Sequence, residues 1–165
     1  MKRDERELTA LFKRLGAPQP AEWAKSQLKE DIPQLGRFLF LRQAWRQLID
    51  EDDPSWIDAS IRAAHLAPDA PLSGVGHALI GLRAKGASDE ELTDLARGMQ
   101  AELLASICYL LSDPGDLELE VADVAWALVQ VDGDGQIVGQ LDALHESVLE
   151  TDPTGREMRP RAVPG

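Results

Sequence analysis

The sequence predicts an all-α protein, an irregular bundle of about six to eight helices joined by short loops. Apolar residues recur every three to four positions along nearly the whole chain, and capping residues, glycines and prolines separate these runs. The composition, 44% hydrophobic and 28% charged, is typical of a globular protein, and 165 residues suffice for a hydrophobic core. We therefore expect a single helical domain over residues 1–150 and an extended, partly disordered C-terminal tail over 151–165.

The first half of the chain is predicted to form four helices, over residues 4–15, 20–29, 32–49 and 54–66. The first stops at Gly16, and Asp53-Pro54 supplies an N-cap followed by an N1 proline for the fourth. The third has Asp31 as its candidate N-cap and the strongest apolar stripe. That stripe consists of Leu35, Phe38, Leu41, Trp45, Leu48 and Ile49.

Two further helices are predicted before residue 112. Residues 73–85 form a helix weakened by glycines and ended by Gly86. Ser88 and Glu91 have the spacing of a capping box, which opens the longest helix, running to about Leu111. Its expected core face consists of Leu92, Leu95, Met99, Leu103, Ile107 and Leu110.

Residues 117–148 allow two structures. Apolar residues recur at helical steps before the loop at 132–136 (Leu117, Val121, Val124, Leu128, Val131) and after it (Ile137, Leu141, Leu144, Val148). Val129 and Val131 also alternate with polar Gln130, as in a strand. The longer stripe favours a helical hairpin, and a short β-hairpin near residues 125–141 is the alternative.

Negative charge is concentrated in one part of the chain. The net charge is −12, and residues 98–155 contain 12 Asp or Glu but no Lys or Arg. Such a field repels phosphate backbones, so nucleic-acid binding is not expected, whereas a cationic partner would be attracted. The alternative is that the acids only keep the protein soluble.

The sequence favours a cytoplasmic location. Its charged start lacks the apolar run of a secretory signal, and no stretch is long and apolar enough to span a membrane. The single cysteine, Cys108, has no partner for an internal disulfide, and its apolar surroundings indicate a buried structural thiol.

The loop "VQVDGDGQIVGQ" (129–140) fails as a calcium site of the EF-hand type. Oxygen ligands fit positions 1, 3 and 5 at Asp132, Asp134 and Gln136, but positions 6 and 12 need Gly and Glu and are Ile137 and Ala143. We expect a turn in which Gly133 takes the left-handed conformation and Asp134 caps the next helix. No metal or cofactor is predicted.

The histidines do not form a recognisable site. His65, His77 and His145 fall on three predicted elements, without the spacing of a zinc or di-iron motif. Asp142 and His145 are three residues apart and would share a helix face, so a His–carboxylate enzyme, with or without a metal, stays as an alternative.

The run "LHESVLETDPTGREMRPR" (144–161) resembles the C-terminal part of uncharacterised small helical bacterial proteins, some of which are of the toxin-immunity type. The resemblance implies an immunity-type role and no catalytic residues.

The charge distribution and this resemblance predict a non-enzymatic acidic binding protein, an immunity or inhibitor protein that neutralises a basic partner such as a bacterial toxin. Trp126 is expected to pack under the C-terminal tail, and an exposed contact residue among the acids is the alternative. The predicted partner-binding residues are Asp113, Asp116, Glu118, Glu120, Asp123, Trp126, Asp132, Asp134, Asp142 and Glu146. A third alternative is a self-associating structural subunit, which would have a large apolar surface patch. The protein itself is expected to be a monomer or a homodimer.

Overall fold

The computed structural model describes residues 3–161. Within them the protein is mostly helical, with seven α-helices and one two-stranded antiparallel hairpin, which confirms the predicted fold class. The described chain divides into two compact units, one formed by residues up to Trp45 together with those from Leu103 onward, the other by Arg46–Glu102.

The first unit begins with three helices, α1 (Glu5–Leu15), α2 (Pro20–Lys29) and α3 (Gln34–Trp45). Helix α1 has a complete capping box between Asp4 and Glu7 and ends at Gly16, whose φ of 84° is left-handed. The aromatic rings of Phe12, Trp23 and Phe38 lie 5.6–5.9 Å apart, centroid to centroid. We call these three residues the aromatic cluster; they are buried and hold the three helices together.

Helix α3 is shorter than predicted at both ends. Asp31 does not cap it; Asp31 has a φ of 56°, and the helix starts at Gln34. The side-chain oxygen of Gln27 accepts the backbone N–H of Leu35 (2.8 Å), so a residue of α2 serves the start of α3. This partner is distant in sequence, and a local capping pattern could not indicate it.

The second unit contains α4 (Ser55–Leu66), α5 (Ser73–Ala84) and the start of α6 (Asp89–Leu110). Its core is built from Ile57, Leu79 and Leu92. Helices α4 and α5 approach closely at Gly76, where an added Cβ would collide with the backbone oxygen of Ser60. The predicted bounds of both helices hold within one residue or so.

The predicted start of α6 is confirmed, but the prediction of its buried face is wrong. Ser88 and Glu91 form the capping box, with the Ser88 N–H donating to Glu91 (2.8 Å) and the Glu91 N–H to Ser88 Oγ (3.2 Å). Of the predicted core face only Leu92 is buried, whereas five large apolar residues are exposed: Leu95, Met99, Leu103, Ile107 and Leu110. The buried side contains Thr93, Arg97, Ala101, Leu104 and Cys108.

Long-range hydrogen bonds explain how a more polar face of α6 can be buried. The Arg97 guanidinium donates to the backbone oxygen of Ile49 (2.6 Å), and the indole N–H of Trp56 donates to Thr93 Oγ1 (3.1 Å). A buried polar group is tolerated when it has such partners. The partners lie 37 and 48 residues away, so helical spacing alone selected the wrong face.

The prediction of a helical hairpin at 117–148 is wrong, and the alternative of a β-hairpin is confirmed. A single 3₁₀ turn (Leu119–Val121) is followed by strands β1 (Val129–Val131) and β2 (Ile137–Gln140), and then by the short helix α7 (Leu144–Ser147). Asp116, Glu120 and Asp123 are spaced four and three residues apart, so a helix would align three like charges on one face. The β-branched valines at 129 and 131 fit the strand instead.

Residues 151–161 follow α7 as a series of turns. Thr151 and Asp152 are buried, and the Asp152 carboxylate accepts the N–H of Thr154 (3.0 Å) and of Met158 (3.1 Å). The last four residues of the predicted tail lie outside the described residues. None of the helices within 3–161 combines the length and apolar character that crossing a membrane requires.

Candidate interaction surface

All ten predicted partner-binding residues are exposed, and they fall into three groups within the first unit. The largest group lies between the end of α6 and β1, the second at the hairpin tip and the third beside α7. None of their nine carboxylates forms an ion pair with a Lys or Arg of residues 3–161. Their negative charge is therefore available to solvent or to a partner.

The first group lies on a loop, residues 113–126, that returns to the helix it leaves. The indole N–H of Trp126 donates to the backbone oxygen of Leu110 (2.6 Å), in the last turn of α6. At the start of the loop, Asp113 accepts the hydroxyl of Tyr109 (3.3 Å) and the N–H of Gly115 (2.8 Å). We call this segment the acidic loop; it contains Asp113, Asp116, Glu118, Glu120 and Asp123. Its two ends are fixed beside the helix terminus, as in a compact surface loop.

Trp126 is exposed rather than buried under the C-terminal residues, so the favoured prediction for it is wrong. Its hydrogen bond to Leu110 holds the indole at the end of α6. A half-exposed aromatic ring with a fixed N–H suits a contact residue, because little conformational entropy is lost when it is covered.

The third group surrounds a buried arginine that the sequence did not single out. Arg37 of α3 is 5% exposed and donates to the backbone oxygen of Ala143 (2.7 Å) and to Ser147 Oγ (3.3 Å). Burial lowers the pKa of Arg37, while the charges of Glu146, Asp142 and Glu150 act to raise it. Arg37 thus fixes α7 and partly balances the acids around it.

A second residue of α3 fixes the same segment. The indole N–H of Trp45 donates to the backbone oxygen of Val148 (2.9 Å) and lies 3.3 Å from Thr151 Oγ1. Leu141, Leu144 and Val148 are buried, as their predicted apolar spacing requires, whereas Ile137 is exposed. Asp142, Glu146 and Glu150 consequently lie on a segment held at two points by α3.

Asp142 is the acid of this surface with a resolved pKa shift. The pKa of Asp142 is lowered, first by a hydrogen bond with Ser112 and then by the backbone N–H of Ala143, which lies 2.7 Å from the carboxylate. More distant attraction by Arg37 and His145 acts in the same direction. The carboxylate therefore stays ionised under mildly acidic conditions.

The hairpin tip is organised by Asp132 and not by the two residues that the sequence suggested. Asp132 Oδ1 accepts the N–H of Asp134 (3.0 Å) and of Gln136 (2.9 Å), and Gly135 takes the left-handed conformation with a φ of 78°. The prediction for Gly133 and Asp134 is wrong because β1 leads into a hairpin turn, where an Asp at the first position hydrogen-bonds the following backbone. No group of three or more His, Cys, Asp or Glu in residues 3–161 is placed to hold a metal ion.

His145 and Cys108 lie close to the acidic residues without forming a reactive pair in the described chain. The ring of His145 packs edge-on against Tyr109, with centroids 5.0 Å apart, and its Nδ1 is buried without a hydrogen-bond partner. Burial raises the pKa of the Cys108 thiol to about 11, so little of the nucleophilic thiolate forms at neutral pH. Asp142 precedes α7 and so does not share a helix face with His145.

A polar groove lies elsewhere in the first unit, between the N-terminal helices and the hairpin. It has a volume of about 890 Å³, and its lining includes Gln27, Asp31, Gln130 and Gln140. A Cβ added at Gly36 would lie 2.5 Å from Gln130 Oε1 and 2.8 Å from Leu141 Cδ2, so these two side chains would have to shift. Its polar lining includes three glutamines beside apolar side chains, and no pattern in the sequence indicated it.

Sequence reasoning also missed the exposed apolar side of α6. Leu103, Ile107 and Leu110 were assigned to the core, yet they form an exposed strip beside the acidic loop.

Comparison of the chain with protein-family models, with curated proteins and with solved structures finds no significant match.

Proposed function

We propose that this protein is a non-enzymatic acidic binding protein of the immunity or inhibitor type, which neutralises a basic partner such as a bacterial toxin in the cytoplasm. The observation that supports this best is the exposure of nine carboxylates that no Lys or Arg of residues 3–161 pairs with. Acids that served only internal charge balance would be found in ion pairs, as Asp58 and Asp89 are with Arg83.

The backbone adds to this negative field. The C-terminus of a helix has a partial negative charge of about half a unit, which basic residues in the last turn usually offset. Helix α6 has no basic residue in its last turn and is followed directly by the acidic loop. A partner with clustered Lys or Arg would therefore be attracted to this end of α6.

Complementary charge acts mainly on the rate of association. Exposed charges steer diffusing partners and can raise the on-rate by about 10- to 1,000-fold at low salt. The effect is screened over roughly 10 Å at 0.1 M salt. A basic partner should therefore bind quickly at low ionic strength and more slowly as salt is added.

The test compares two variants of equal net charge. Asp116→Lys, Glu120→Lys and Asp123→Lys reverse the acidic loop, whereas Glu22→Lys, Glu30→Lys and Asp69→Lys reverse three exposed acids elsewhere. In each triple variant, three reversals of two charge units each change the net charge from −12 to −6. Proteins retained from a host extract by the wild type at low salt supply the candidate partner, which is then purified for stopped-flow kinetics.

At low salt, we expect the acidic-loop variant to associate at least about tenfold more slowly than the wild type, and the control variant to associate at nearly the wild-type rate. At 0.5 M salt, the difference in on-rate between the two variants should be smaller. Equal on-rates for the two variants would mean that net charge alone matters, and the proposal for this surface would then be wrong.

A further inference from the structure

We propose that the exposed apolar side of α6 next to the acidic loop is the docking site for a basic amphipathic helix of the partner. The site consists of Leu103, Ile107, Leu110 and Trp126, which we call the apolar strip. The inference rests on the proposed function and adds to it the site of apolar contact and the form of the partner.

The apolar strip is an ordered, solvent-facing row of side chains. Leu103, Ile107 and Leu110 are spaced four and three residues apart, so they lie along one side of the helix, and Trp126 is fixed at its end by the hydrogen bond to Leu110. The exposed fractions are 60% for Leu103, 42% for Ile107, 48% for Leu110 and 41% for Trp126. A contiguous row of this kind, rather than scattered apolar residues, is typical of an interaction site.

The strip has a length that a partner helix can cover. From Leu103 to Leu110 it extends roughly 10 Å at 1.5 Å per residue. A partner helix of at least two turns would cover that length, with apolar residues at positions i, i+3, i+4 and i+7 facing the strip.

The charge beside the apolar strip favours a basic partner helix over a second copy of this chain. The acidic loop borders the strip at the end of α6, and no Lys or Arg occurs between residues 98 and 155. A second copy of this chain would bring the same acidic border against itself, which like-charge repulsion opposes. A helix with Lys or Arg beside its apolar face would instead place cations next to the carboxylates of the loop.

The test uses three synthetic 15-residue peptides as probes. The first contains Leu at helical spacing and Lys elsewhere, the second has the same composition with Leu and Lys alternating, and the third replaces every Lys of the first with Glu. Each peptide carries a fluorescent label, and its dissociation constant for the full-length protein is measured by anisotropy. We expect the first to bind at least tenfold more tightly than either of the others.

Matched variants then locate the site. Leu103→Gln with Ile107→Gln removes apolar surface from the strip, and Leu66→Gln with Leu72→Gln makes the same kind of change at two leucines that are 87% exposed in the other unit. We expect the strip variant to bind the helical Leu/Lys peptide at least tenfold more weakly, and the control to bind it as the wild type does. Circular dichroism and thermal melts check that both variants fold.

Two results would overturn the inference. One is unchanged peptide binding in a folded strip variant. The other is a dimer of the wild type in analytical ultracentrifugation together with a monomer of the strip variant, which would make a second copy the occupant.

The experiments distinguish a failure of this inference from a failure of the proposed function. If the strip variant binds normally while acidic-loop reversal still slows the partner, the apolar site is wrong and the proposed function stands. If reversal has no effect on the partner but the strip variant weakens the peptide, the proposed function is wrong and the strip stands.

Discussion

Trp23 and Trp126 belong to the same unit and have nearly opposite environments. Trp23 is 5% exposed and packs between Phe12 and Phe38, whereas Trp126 is 41% exposed and donates a hydrogen bond to the end of α6. The contrast extends to their surroundings, since none of residues 113–140 is buried. Similar apolar residues thus build a core in one region and an exposed surface in the other.

Apolar spacing leads to a helix only when the intervening residues also favour one. In α1 the capping box, the acidic first turn and the basic last turn all favour the same structure. In the acidic loop, Asp116, Glu120 and Asp123 oppose the helix that Leu117, Val121 and Val124 would favour. A segment with such conflicting local signals does not form the helix that its apolar spacing favours.

Replacing the two tryptophans should give the largest contrast between the regions. Trp23→Ala removes a buried indole and should lower the free energy of unfolding by about 3–5 kcal/mol. Trp126→Ala removes one hydrogen bond and a half-exposed ring, and should cost about 1 kcal/mol. Urea unfolding followed by circular dichroism measures both, and Trp23→Phe provides a milder variant if Trp23→Ala does not fold. Similar losses for the two alanine variants would contradict the comparison.

Replacing Arg37 tests how firmly the core region holds the acids beside α7. Arg37→Met removes the hydrogen bonds to Ala143 and Ser147, and should lower the free energy of unfolding by about 1–3 kcal/mol. Amide exchange should accelerate in residues 143–148 and stay unchanged in α1. Lys25→Met, at an exposed position of α2, should change stability by less than about 0.5 kcal/mol. Equal exchange rates in the wild type and Arg37→Met would show that Trp45 suffices.

The smallest effect concerns the pH dependence of stability at Asp142. Because the folded-state pKa of Asp142 is lowered from its usual 3.8, ionised Asp142 stabilises the fold at pH values above 3.8. This contribution is lost as the pH falls through the folded-state pKa. Asp142→Asn should therefore be less stable than the wild type at pH 6, and the difference should shrink at pH 2.5. Ser112→Ala should reduce the same pH dependence, since Ser112 is the main cause of the shift.

The sequence predicted those parts of the fold that local interactions determine. The bounds of α1, α2, α5 and α6 follow from capping boxes, prolines and glycines within a few positions of the helix ends. The orientation of α6 depends on partners of Thr93 and Arg97 at residues 56 and 49, which no local pattern indicates. The exposure of the acids could be predicted from their charge alone. The exposure of Leu103 and Ile107 could not, because it depends on the orientation of α6, and the sequence assigned both residues to the core.

The absence of Lys and Arg from residues 98–155 also determines which proteases can cleave the acidic loop. Exposed loops are the usual sites of proteolytic nicking, and no residue of the acidic loop is buried. Trypsin cleaves after Lys or Arg, and between Arg97 and Arg156 the chain offers it no such site. A protease that cleaves after Glu can instead act at Glu118 and Glu120. The loop thus resists one class of protease through its composition alone, and a bound partner would be detected by protection from the other class.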